Sequence, residues 1–486
     1  MKILMLNPPF EKGKKFSRQS RSPCVTKGGT FYYPYYLAYG TGALENAGFE
    51  TKLVDAVARD WDIKETVAFA KNYDPDLVVI ETSTPSIPRD AETAKAIKEA
   101  LPNAHVAMGN IHAKCMPEET LKLSNADSAI RGEYDNVAVE LARAIEKRKP
   151  LSSVDGISFR SNGKITHNKE APLFQDLDSL PFVSDVYLRH FGVSGIKKYF
   201  YASLRWPQVT ILTGRGCLYN CAFCNIPYKK SYRPRSPENV VKEFEFIEAE
   251  LPFVQEVMVE DDTFPLNRER TEKFCNMLIE RGVKIRWSCN ARVNTELETL
   301  EKMQKAGCRL MCVGFESATQ EVLNTIRKGT TKSMQMDFMR RARKARLLVN
   351  GCFIHGLPSD TPETMKATLE LAKKLNPDTA QFYPLMVYPG TDAYAWAERN
   401  GHLITKDYSK WLTSEGWHDT TVSRKDLTKD EVVRMCDLSR KEYYVRPKYI
   451  AWKTLQSLRY PEEFRRNLIG LNVFKDWFFK AGIKAK

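Results

Sequence analysis

The sequence predicts an α/β protein with an N-terminal Rossmann-like, doubly wound domain, a partial (β/α)6 barrel and a helical C-terminal region. Over residues 1–145 short β-type runs alternate with helical stretches, and over residues 206–400 the alternation resumes with longer units. Strands that alternate with helices form parallel sheets with helices packed on their faces. From residue 401 the patterns are helical and rich in aromatic and basic residues.

The length and composition indicate a globular protein of several units. The chain has 486 residues, of which 43% are hydrophobic and 28% are charged, and a chain of this length is expected to form about three units. It contains no long apolar run of the kind that spans a membrane, and its N-terminus, "MKILMLNPPFEKGKK", turns polar too early for a signal peptide. These features predict a cytoplasmic location.

The net charge of +14 is compatible with an anionic substrate, a membrane surface or nucleic acid. The basic residues are spread along the chain without a DNA-binding or RNA-binding signature, so nucleic acid is not the expected partner. The chain has 11 cysteines, and in a cytoplasmic protein these do not indicate a disulfide framework. Those without metal-ligand spacing are expected to be small buried side chains.

In residues 1–145 the expected strands are "KILML", "ETKLVDA", "DLVVIET", "AHVAMG" and "DSAIRG". Helical stretches such as "YLAYGTGALENAG" and "AETAKAIKEAL" separate them. Polar or small residues follow the strands, among them Asn7, Asp55, residues 82–86 and Gly109. Because ligands bind at the carboxyl ends of strands in an open α/β sheet, we expect a binding site there.

Residues 146–205 are expected to form a linker that packs on its neighbours, with a hairpin at "DGISFRSNGKITHN" whose turn is Asn162 and Gly163. Residues 206–400 contain the expected strands "QVTILTG", "EVMVED", "KIRWSCN", "RLMCVGFE", "VNGCFIHG" and "TAQFYPLM". These units predict an open barrel related to the eightfold one. Residues 401–486 are expected to be a helical C-terminal region.

Three cysteines, Cys217, Cys221 and Cys224, stand within "GCLYNCAFC" directly after the first barrel strand, where barrel enzymes place their chemistry. A structural zinc site uses four ligands and would need a distant fourth cysteine. A four-iron cluster held by three thiolates would leave one iron open to another ligand. Gly214 and Gly216 precede the motif and allow the loop to bend closely around a cluster.

The CxxxCxxC spacing after the first strand of a βα barrel, with the aromatic Phe223 before the last cysteine, resembles the signature of the radical S-adenosylmethionine (SAM) superfamily. The resemblance implies that Cys217, Cys221 and Cys224 bind a [4Fe–4S] cluster whose open iron chelates the amino and carboxylate groups of SAM. It also implies that Phe223 belongs to the cofactor site. Reductive cleavage of SAM would give a 5′-deoxyadenosyl radical, with a flavodoxin, a ferredoxin or their reductase as the electron donor.

Other barrel segments resemble the family at the strand ends. In "VEDDTF" Glu260, Asp261 and Asp262 stand where the family holds the SAM amino group, and carboxylates suit an ammonium ion. Glu316 in "GFES" is implied to face the ribose. The alternative for each residue taken singly is a solvated polar strand end. The resemblance also implies three residues of "SCNARV" at this rim: Ser288, Asn290 and Arg292.

An α/β sheet that precedes a radical SAM barrel resembles the cobalamin-binding subclass, in which the corrin lies between the two domains. The segments "NPPF", "ETSTPS", "MGNIHAKC" and "IRGEYD" would hold the corrin and its nucleotide tail. The DxHxxG motif is missing, so the resemblance implies cobalt without a protein histidine. A relic domain or a substrate platform is the alternative. The residues implied for this cofactor are Asn7, Ser83, Gly109, His112, Gly132 and Glu133.

Within the subclass, "TGRGCLYNCAFC" and "FYPLMVYPGT" are most similar to HpnJ-like hopanoid ring-contraction enzymes. The expected reaction is abstraction of hydrogen from an unactivated substrate carbon, followed by rearrangement, cyclisation or ring contraction. The alternative is C-methylation with methylcobalamin. An alternative of another class is a basic membrane-surface or nucleic-acid-binding protein with a structural metal. The candidates for catalytic residues near the rim are Cys312, Cys352, Tyr383 and His355.

The C-terminal segment "FRRNLIGLNVFKDWFFKAGIKAK" places Phe464, Leu468, Leu471 and Phe474 on one face of a helix. A helix that caps the barrel is one prediction. The other prediction is docking at a membrane that holds a lipid-linked substrate, with the aromatic residues 477–479 at the interface. The substrate is thus expected to be a small molecule, free or lipid-linked.

Overall fold

The computed structural model describes residues 1–459, 463–464 and 466–468, and its first half is built on a seven-stranded sheet. The strands are β1 (Lys2–Asn7), β2 (Glu50–Asp55), β3 (Leu77–Glu81), β4 (His105–Gly109), β5 (Ser128–Ile130), β6 (Ile157–Ser161) and β7 (Lys164–His167). Their order is β2-β1-β3-β4-β5-β6-β7, and β1 to β5 run parallel. The strand order reverses between β1 and β3, which is the position where doubly wound sheets bind ligands.

Helices cover both faces of this sheet, as the alternating pattern predicts. Met5 of β1 packs on one face with Leu37, and its neighbour Leu4 packs on the other face with Ile97. The whole of β3 is buried, because parallel strands between two helical layers are apolar throughout. The helices of this half are α1 (Tyr35–Asn46), α2 (Ala56–Arg59), α3 (Ile63–Tyr73), α4 (Ile87–Ala100), α5 (Ile111–Cys115), α6 (Pro117–Leu123) and α7 (Val139–Glu146).

The segment predicted as a linker, residues 146–205, is more integrated than expected. Its hairpin forms β6 and β7, with Asn162 and Gly163 at positive φ in the turn, and β6 pairs with β5 in antiparallel fashion. The hairpin therefore extends the N-terminal sheet. Helix α8 (Val183–Ile196) then contacts both α1 and the first barrel strand, so one continuous core joins the two halves.

The second sheet has the six parallel strands expected of an open barrel. They are β8 (Gln208–Ile211), β11 (Glu256–Val259), β12 (Arg286–Ala291), β13 (Cys308–Glu316), β14 (Leu348–His355) and β15 (Thr379–Pro384), paired in chain order. Between the first two lies a small antiparallel pair, β9 (Gly214–Arg215) and β10 (Arg233–Pro234), which frames the cysteine loop. The helices between the strands are α9 (Pro237–Glu250), α10 (Arg268–Glu280), α11 (Leu297–Lys305), α12 (Gln320–Thr325), α13 (Lys332–Lys344) and α14 (Pro362–Leu375).

The C-terminal region begins differently from the prediction. After α15 (Asp392–Arg399), residues 401–428 form loops and one short 3-10 turn, and helices return only at α16 (Lys429–Tyr444) and α17 (Pro447–Arg459). The irregular segment is ordered by burial, because Tyr408 and Trp411 pack in the core on one face of the N-terminal sheet. In the part of the chain that the structure describes, no helix is both long and apolar enough to cross a membrane.

Four positions of the predicted amphipathic tail, 464 and 466–468, are described, together with Glu463 just before it. Glu463 and Arg466 are buried, and Arg309 of the barrel donates to Glu463 at 2.9 Å. Phe464 and Leu468 are half-exposed on the opposite side. Polar contacts thus hold this segment on the barrel. The remaining positions of the tail prediction, Leu471, Phe474 and residues 477–479, lie outside the described residues.

Candidate functional site

The cysteine loop follows the first barrel strand directly. Cys217 and Cys221 are buried, Cys224 is partly exposed, and all three thiols are free. Gly216 has φ +84°, and a Cβ built there would overlap the carbonyl oxygen of Ser231, so only glycine fits. Among the described residues, no three His, Cys, Asp or Glu side chains stand close enough to hold one metal ion. A cluster that takes each thiolate on a different iron does not need such a group.

Arg292 brings a positive charge to the cysteine loop. Its Nη1 donates to Cys221 Sγ at 3.7 Å, and its guanidinium carbon lies 3.7 Å from the centre of the Tyr219 ring. Its Nη2 donates to the backbone carbonyl of Lys328. A fixed cation beside the loop offsets the negative charge of thiolates. The structure therefore brings Arg292 to the predicted site.

The three acidic residues that follow β11 have different partners. Asp261 accepts two bonds of 2.6 Å from Thr213, one from the backbone N–H and one from the hydroxyl, so it ties the ends of two strands together. Asp262 accepts a hydrogen bond from the backbone N–H of Gly216, which links the acidic segment to the cysteine loop. Glu260 accepts from Asn290 at 3.2 Å through Oε1.

Glu260 is the acidic residue with an open acceptor. Its Oε2 is buried and has no hydrogen-bond partner among the described residues. Burial raises the pKa of Glu260 to about 7, although the charge of Arg21 and the bond from Asn290 oppose the rise. A buried carboxylate oxygen without a partner is costly, so a cationic ligand at this position would be stabilising.

Two other predicted residues of the rim have different positions. Glu316 has φ +63° and pairs with Lys328 at 2.7 Å. Ser288 does not reach the rim, since its hydroxyl donates to Glu256 at the start of β11, which also accepts from Arg309. The prediction that Ser288 belongs to the cofactor rim is therefore wrong in position. Side chains alternate along a strand, so Ser288 lies on the same inner face as Asn290 but two residues further from the carboxyl end of the strand.

Three of the candidate catalytic residues lie on the inner face of the barrel. The Cys352 thiol donates to Oε1 of Gln381 at 3.6 Å, and the Tyr383 hydroxyl donates to the same oxygen. The side chains of Cys352, Gln381 and Tyr383 are partly exposed although they lie within the sheet. Cys312 is buried on the neighbouring strand and accepts from Asn350 at 3.5 Å. Gln381, which joins the thiol to the phenol, was not predicted from the sequence.

His355 and Phe223 pack against neighbouring side chains around the site. His355 is buried on the outer face, where it stacks on Phe382 and contacts the hydroxyl of Ser439 at 2.9 Å. Burial lowers its pKa to about 3, so it is neutral at pH 7. Its prediction as a catalytic candidate is not supported by this position. Phe223 is half-buried and packs against the core beneath the cysteine loop.

At the carboxyl ends of β1 and β3 a buried polar network replaces an open groove. Asn7 donates to Asp55 at 3.0 Å and accepts from Arg18 at 3.0 Å. Arg18 also pairs with Asp90 at 2.6 Å, and both side chains are wholly buried. The Ser83 backbone N–H donates to the same carboxylate at 3.3 Å. The predicted residues Asn7 and Ser83 thus meet, through a buried ion pair.

Glu81, which was not among the predicted site residues, ends β3 beside this network. Its carboxyl accepts from Gln19, Asn110 and Tyr134, the last at 3.2 Å. Burial raises its pKa to about 8, so the group is neutral at pH 7. A strand-end glutamate inside "VVIETS" was visible in the sequence, but its three partners come from separate loops.

The remaining residues predicted for cobalamin fall into two groups. Gly109 is close to the Tyr134 ring, which any Cβ at that position would overlap. His112 is buried, and its Nδ1 lies 3.1 Å from the Thr84 hydroxyl while Nε2 has no partner among the described residues. Burial lowers the pKa of His112 to about 3. These two residues lie at the carboxyl edge of the sheet, as expected.

Gly132 and Glu133 belong to the contact between the two halves. A Cβ at Gly132 would overlap Val137. Glu133 pairs with Arg215 at 3.0 Å and with Arg233 at 2.7 Å, both from the barrel. Burial acts to raise its pKa, but the hydrogen bond from Arg233 and the charges of both arginines hold the pKa below its ordinary value. Its oxygens are thus committed to a bridge between domains, which differs from the predicted role in cofactor binding.

A small cavity of about 30 Å³ lies between the two halves of the molecule. One side comes from the N-terminal domain and the other from the residues after the cysteine loop and from the acidic segment. Its lining consists of Arg18, Gln19, Ser20, Arg21, Tyr35, Tyr36, Asn110, Ile111, Asn225, Ile226, Pro227 and Asp262.

The side chains present fit the implied cofactors. Three thiols on one tightly bent loop suit a [4Fe–4S] cluster, and the unpartnered oxygen of Glu260 suits the ammonium group of SAM. Gln19, Ser20 and Asn110 line the cavity, and their amide and hydroxyl groups are of the kind that suits the amide-rich edge of a corrin. No histidine is among the described residues that line it.

Comparisons with known proteins match both halves. Residues 211–372 match the model of the radical SAM superfamily, and residues 22–142 match the model of the B12-binding domain. A protein of Pyrococcus horikoshii named as an uncharacterized methyltransferase is 32% identical over 455 residues, which cover 93% of this chain and 94% of that protein. The anaerobic magnesium-protoporphyrin IX monomethyl ester cyclase of Cereibacter sphaeroides is 30% identical over 389 residues, 78% of this chain and 62% of the cyclase.

Solved structures share the fold. The methyltransferase TsrM of Kitasatospora setae, with cobalamin and a [4Fe–4S] cluster bound, aligns with a TM-score of 0.71 at 18% identity over 92% of this chain and 89% of that chain. The cobalamin-dependent enzyme OxsB, with aqua-cobalamin bound, aligns with a TM-score of 0.69 at 16% identity over 97% of this chain and 72% of that chain. The chain belongs to the radical SAM superfamily, within its cobalamin-binding enzymes, and its cofactors are a [4Fe–4S] cluster, SAM and cobalamin.

Proposed function

We propose that this enzyme transfers a methyl group to an unactivated carbon of a small-molecule substrate. The observation that carries the proposal is the cavity, because the N-terminal domain, the end of the cysteine loop and the acidic segment all border one space. Radical formation and methyl donation have to reach the same substrate carbon, which requires close placement of both sources. The name of the Pyrococcus horikoshii relative, which matches almost the whole chain, supports methyl transfer.

The chain's own residues would bind and shield the reactants. When bound, the cluster and SAM supply a 5′-deoxyadenosyl radical, and cobalamin supplies the methyl group. Glu260 and Asp262 would hold the SAM ammonium, and Arg292 would balance the charge of the thiolates. The aromatic rings of Tyr35 and Tyr36 border the cavity and would keep water away from a reactive carbon.

The inner wall of the barrel carries neutral groups. Burial raises the pKa of Cys352 and of Tyr383 well above their ordinary values, so both are protonated at pH 7. Transfer of a methyl group to a carbon radical moves no proton. A wall of neutral hydrogen-bonding groups suits that reaction, since it does not require a charged acid and base at the substrate.

A second candidate is cyclisation, rearrangement or HpnJ-like ring contraction without methylation. One observation favours it: the S–H of Cys352 and the O–H of Tyr383 converge on Gln381, so hydrogen donors line the barrel. The cyclase relative supports the same candidate. These residues stay predictions as catalytic groups.

The two candidates differ in the products formed from SAM. The anaerobic holoenzyme, with cobalamin reduced and no substrate present, should convert SAM to S-adenosylhomocysteine, about one per bound cobalamin, if SAM methylates the cofactor. With substrate, methylation predicts both S-adenosylhomocysteine and 5′-deoxyadenosine. Formation of 5′-deoxyadenosine alone, at any cobalamin loading, would contradict methyl transfer and support rearrangement.

The reaction needs a small-molecule substrate and a source of electrons. We propose a flavodoxin or ferredoxin as the donor, since cluster reduction requires a low-potential one-electron carrier. A lipid-linked substrate and peripheral membrane contact stay predictions. The exposed Leu455 and Leu458 of α17 support an apolar surface near the C-terminus, and vesicle co-sedimentation of the full chain tests it.

A further inference from the structure

Arg21 reaches from the N-terminal domain to the acidic segment of the barrel. Its Nη1 donates to Oε1 of Glu260 at 3.2 Å, and its Nη2 donates to the carbonyl oxygen of Asp261 at 3.2 Å. The same nitrogen lies 3.5 Å from Oδ1 of Asp262. The guanidinium group therefore lies beside the acceptors that would hold the ammonium group of SAM.

The two arginines that line the cavity, Arg18 and Arg21, differ in burial and in the strength of their hydrogen bonds. Arg18 is wholly buried and is held by Asp90, Asn7 and two backbone carbonyls. The side chain of Arg21 is 39% exposed, and its three contacts are at the long end of the hydrogen-bond range. A guanidinium carries five N–H donors, so Arg21 can keep these contacts and bind another acceptor.

Two other cations near this strand end, Arg292 and Lys328, have partners outside the acidic segment. Arg292 donates to Cys221 and to the backbone of Lys328. Lys328 pairs with Glu316 at 2.7 Å, and both side chains are buried. Of the cations described at this strand end, Arg21 is the one that contacts the acidic segment and also lines the cavity.

The amino-acid end of SAM is a zwitterion, so its site needs an anion and a cation side by side. The unpartnered Oε2 of Glu260 supplies an acceptor for the ammonium group. We infer that Arg21 binds the carboxylate of SAM, so that the N-terminal domain completes the SAM site of the barrel. Arginine suits this task because its fork matches a carboxylate in two parallel hydrogen bonds. The inference rests on SAM binding and is independent of whether the reaction methylates or rearranges.

The position of Arg21 is fixed by its neighbours in sequence. The buried pair of Arg18 with Asp90 anchors the segment to α4, and Gln19 donates to Glu81 at the end of β3. The segment thus crosses from the cobalamin-binding sheet to the SAM site within four residues. A change at residue 21 removes the reaching group and leaves both anchors in place.

The test is equilibrium binding of SAM and of decarboxylated SAM to the anaerobic holoenzyme, in wild type and in Arg21→Ala, Arg21→Lys and Arg89→Ala. Decarboxylated SAM keeps the ammonium and lacks the carboxylate. Arg89 is the matched control, because it is an exposed arginine of the same domain that pairs with Glu11. Iron content, cobalamin content and the melting temperature establish that each variant is intact.

Arg21→Ala should weaken SAM binding by about 10- to 100-fold, the usual effect of losing a hydrogen-bonded charge pair. It should leave the affinity for decarboxylated SAM unchanged or tighter, because Glu260 and Asp262 lose a competing cation. Arg21→Lys should have a SAM affinity between those of wild type and Arg21→Ala, and Arg89→Ala should bind SAM as tightly as wild type. Equal weakening for both ligands, no effect on either, or tighter binding of SAM itself would each overturn the inference.

Discussion

At the residue scale, three adjacent acidic residues have three different roles because their surroundings differ. Asp261 accepts hydrogen bonds from Thr213, and Asp262 accepts one from the cysteine loop. Glu260 keeps a buried oxygen that has no partner among the described residues. The sequence predicts one shared role for all three, since nothing in "VEDDTF" distinguishes them. The distinction comes from Thr213, which lies 48 positions away in the chain and which only the folded sheet brings near.

SAM affinity should depend on pH through Glu260. Its pKa is raised to about 7 by burial, and only the ionised carboxylate attracts an ammonium group. Affinity should therefore rise as pH increases through 7, by about tenfold between pH 6 and pH 8. Equilibrium binding to the holoenzyme measures this. A pH profile that is the same in Glu260→Gln as in wild type would contradict the role of Glu260.

The stability of the ligand-free chain should respond to pH in the opposite direction. A carboxyl whose pKa is raised by folding stabilises the folded chain below its unfolded pKa, and this contribution is lost as pH rises through the folded pKa. For Glu260 the loss falls between about pH 4 and pH 7. The pH dependence of SAM affinity and that of the free energy of unfolding run in opposite directions. Measuring both in Glu260→Gln therefore separates the effect on binding from the effect on stability.

At the scale of elements, the strand ends carry the function and the connecting segments differ most from the prediction. All six barrel strands lie where apolar runs between helical stretches predict them, because a buried parallel strand requires a continuous apolar run. The hairpin β6–β7 was predicted as a hairpin of the linker but not as part of the sheet. Its pairing with β5 joins Ile130 to Ile157, and no local pattern specifies such a partner.

Substitution of Glu133 tests the ion-pair bridge between the two halves. Replacement by glutamine removes the charge that pairs with Arg233 and one of the two that pair with Arg215, which also contacts Asp135, and breaking a buried ion pair costs about 3–5 kcal/mol. Glu133→Gln should lower the free energy of unfolding by that order, measured by denaturant titration of the apoprotein. Cobalamin content after reconstitution should stay close to that of wild type.

The control for this prediction is Glu140→Gln on α7, whose exposed carboxylate pairs with nearby Arg143 at 2.7 Å. It should leave stability almost unchanged, since exposed pairs contribute about 0–1 kcal/mol. A Glu133 variant that keeps full stability but loses cobalamin would favour the original prediction of cofactor binding over the bridge.

At the scale of the whole molecule, the site exists only because two sheets meet. The cavity is bordered by residues 18–21 and 110–111 of the N-terminal domain and by residues 225–227 of the barrel. The motifs of each half are visible in the sequence, and the structure brings the cysteine loop and the acidic segment to one barrel edge. The contact of Arg21 with Glu260, across 239 positions, was not predictable because it depends on how the two domains pack.

The most direct test of this account is anaerobic reconstitution followed by SAM cleavage, in wild type, Cys221→Ala and the control Cys275→Ala, which lies on α10 outside the cysteine loop and the cavity lining. The wild-type chain should bind about four irons and a corrin, and should release 5′-deoxyadenosine from SAM under reducing conditions. Cys275→Ala should behave in the same way. Cys221→Ala should lose the cluster and the cleavage while keeping its corrin. SAM cleavage at the wild-type rate by Cys221→Ala would contradict the account.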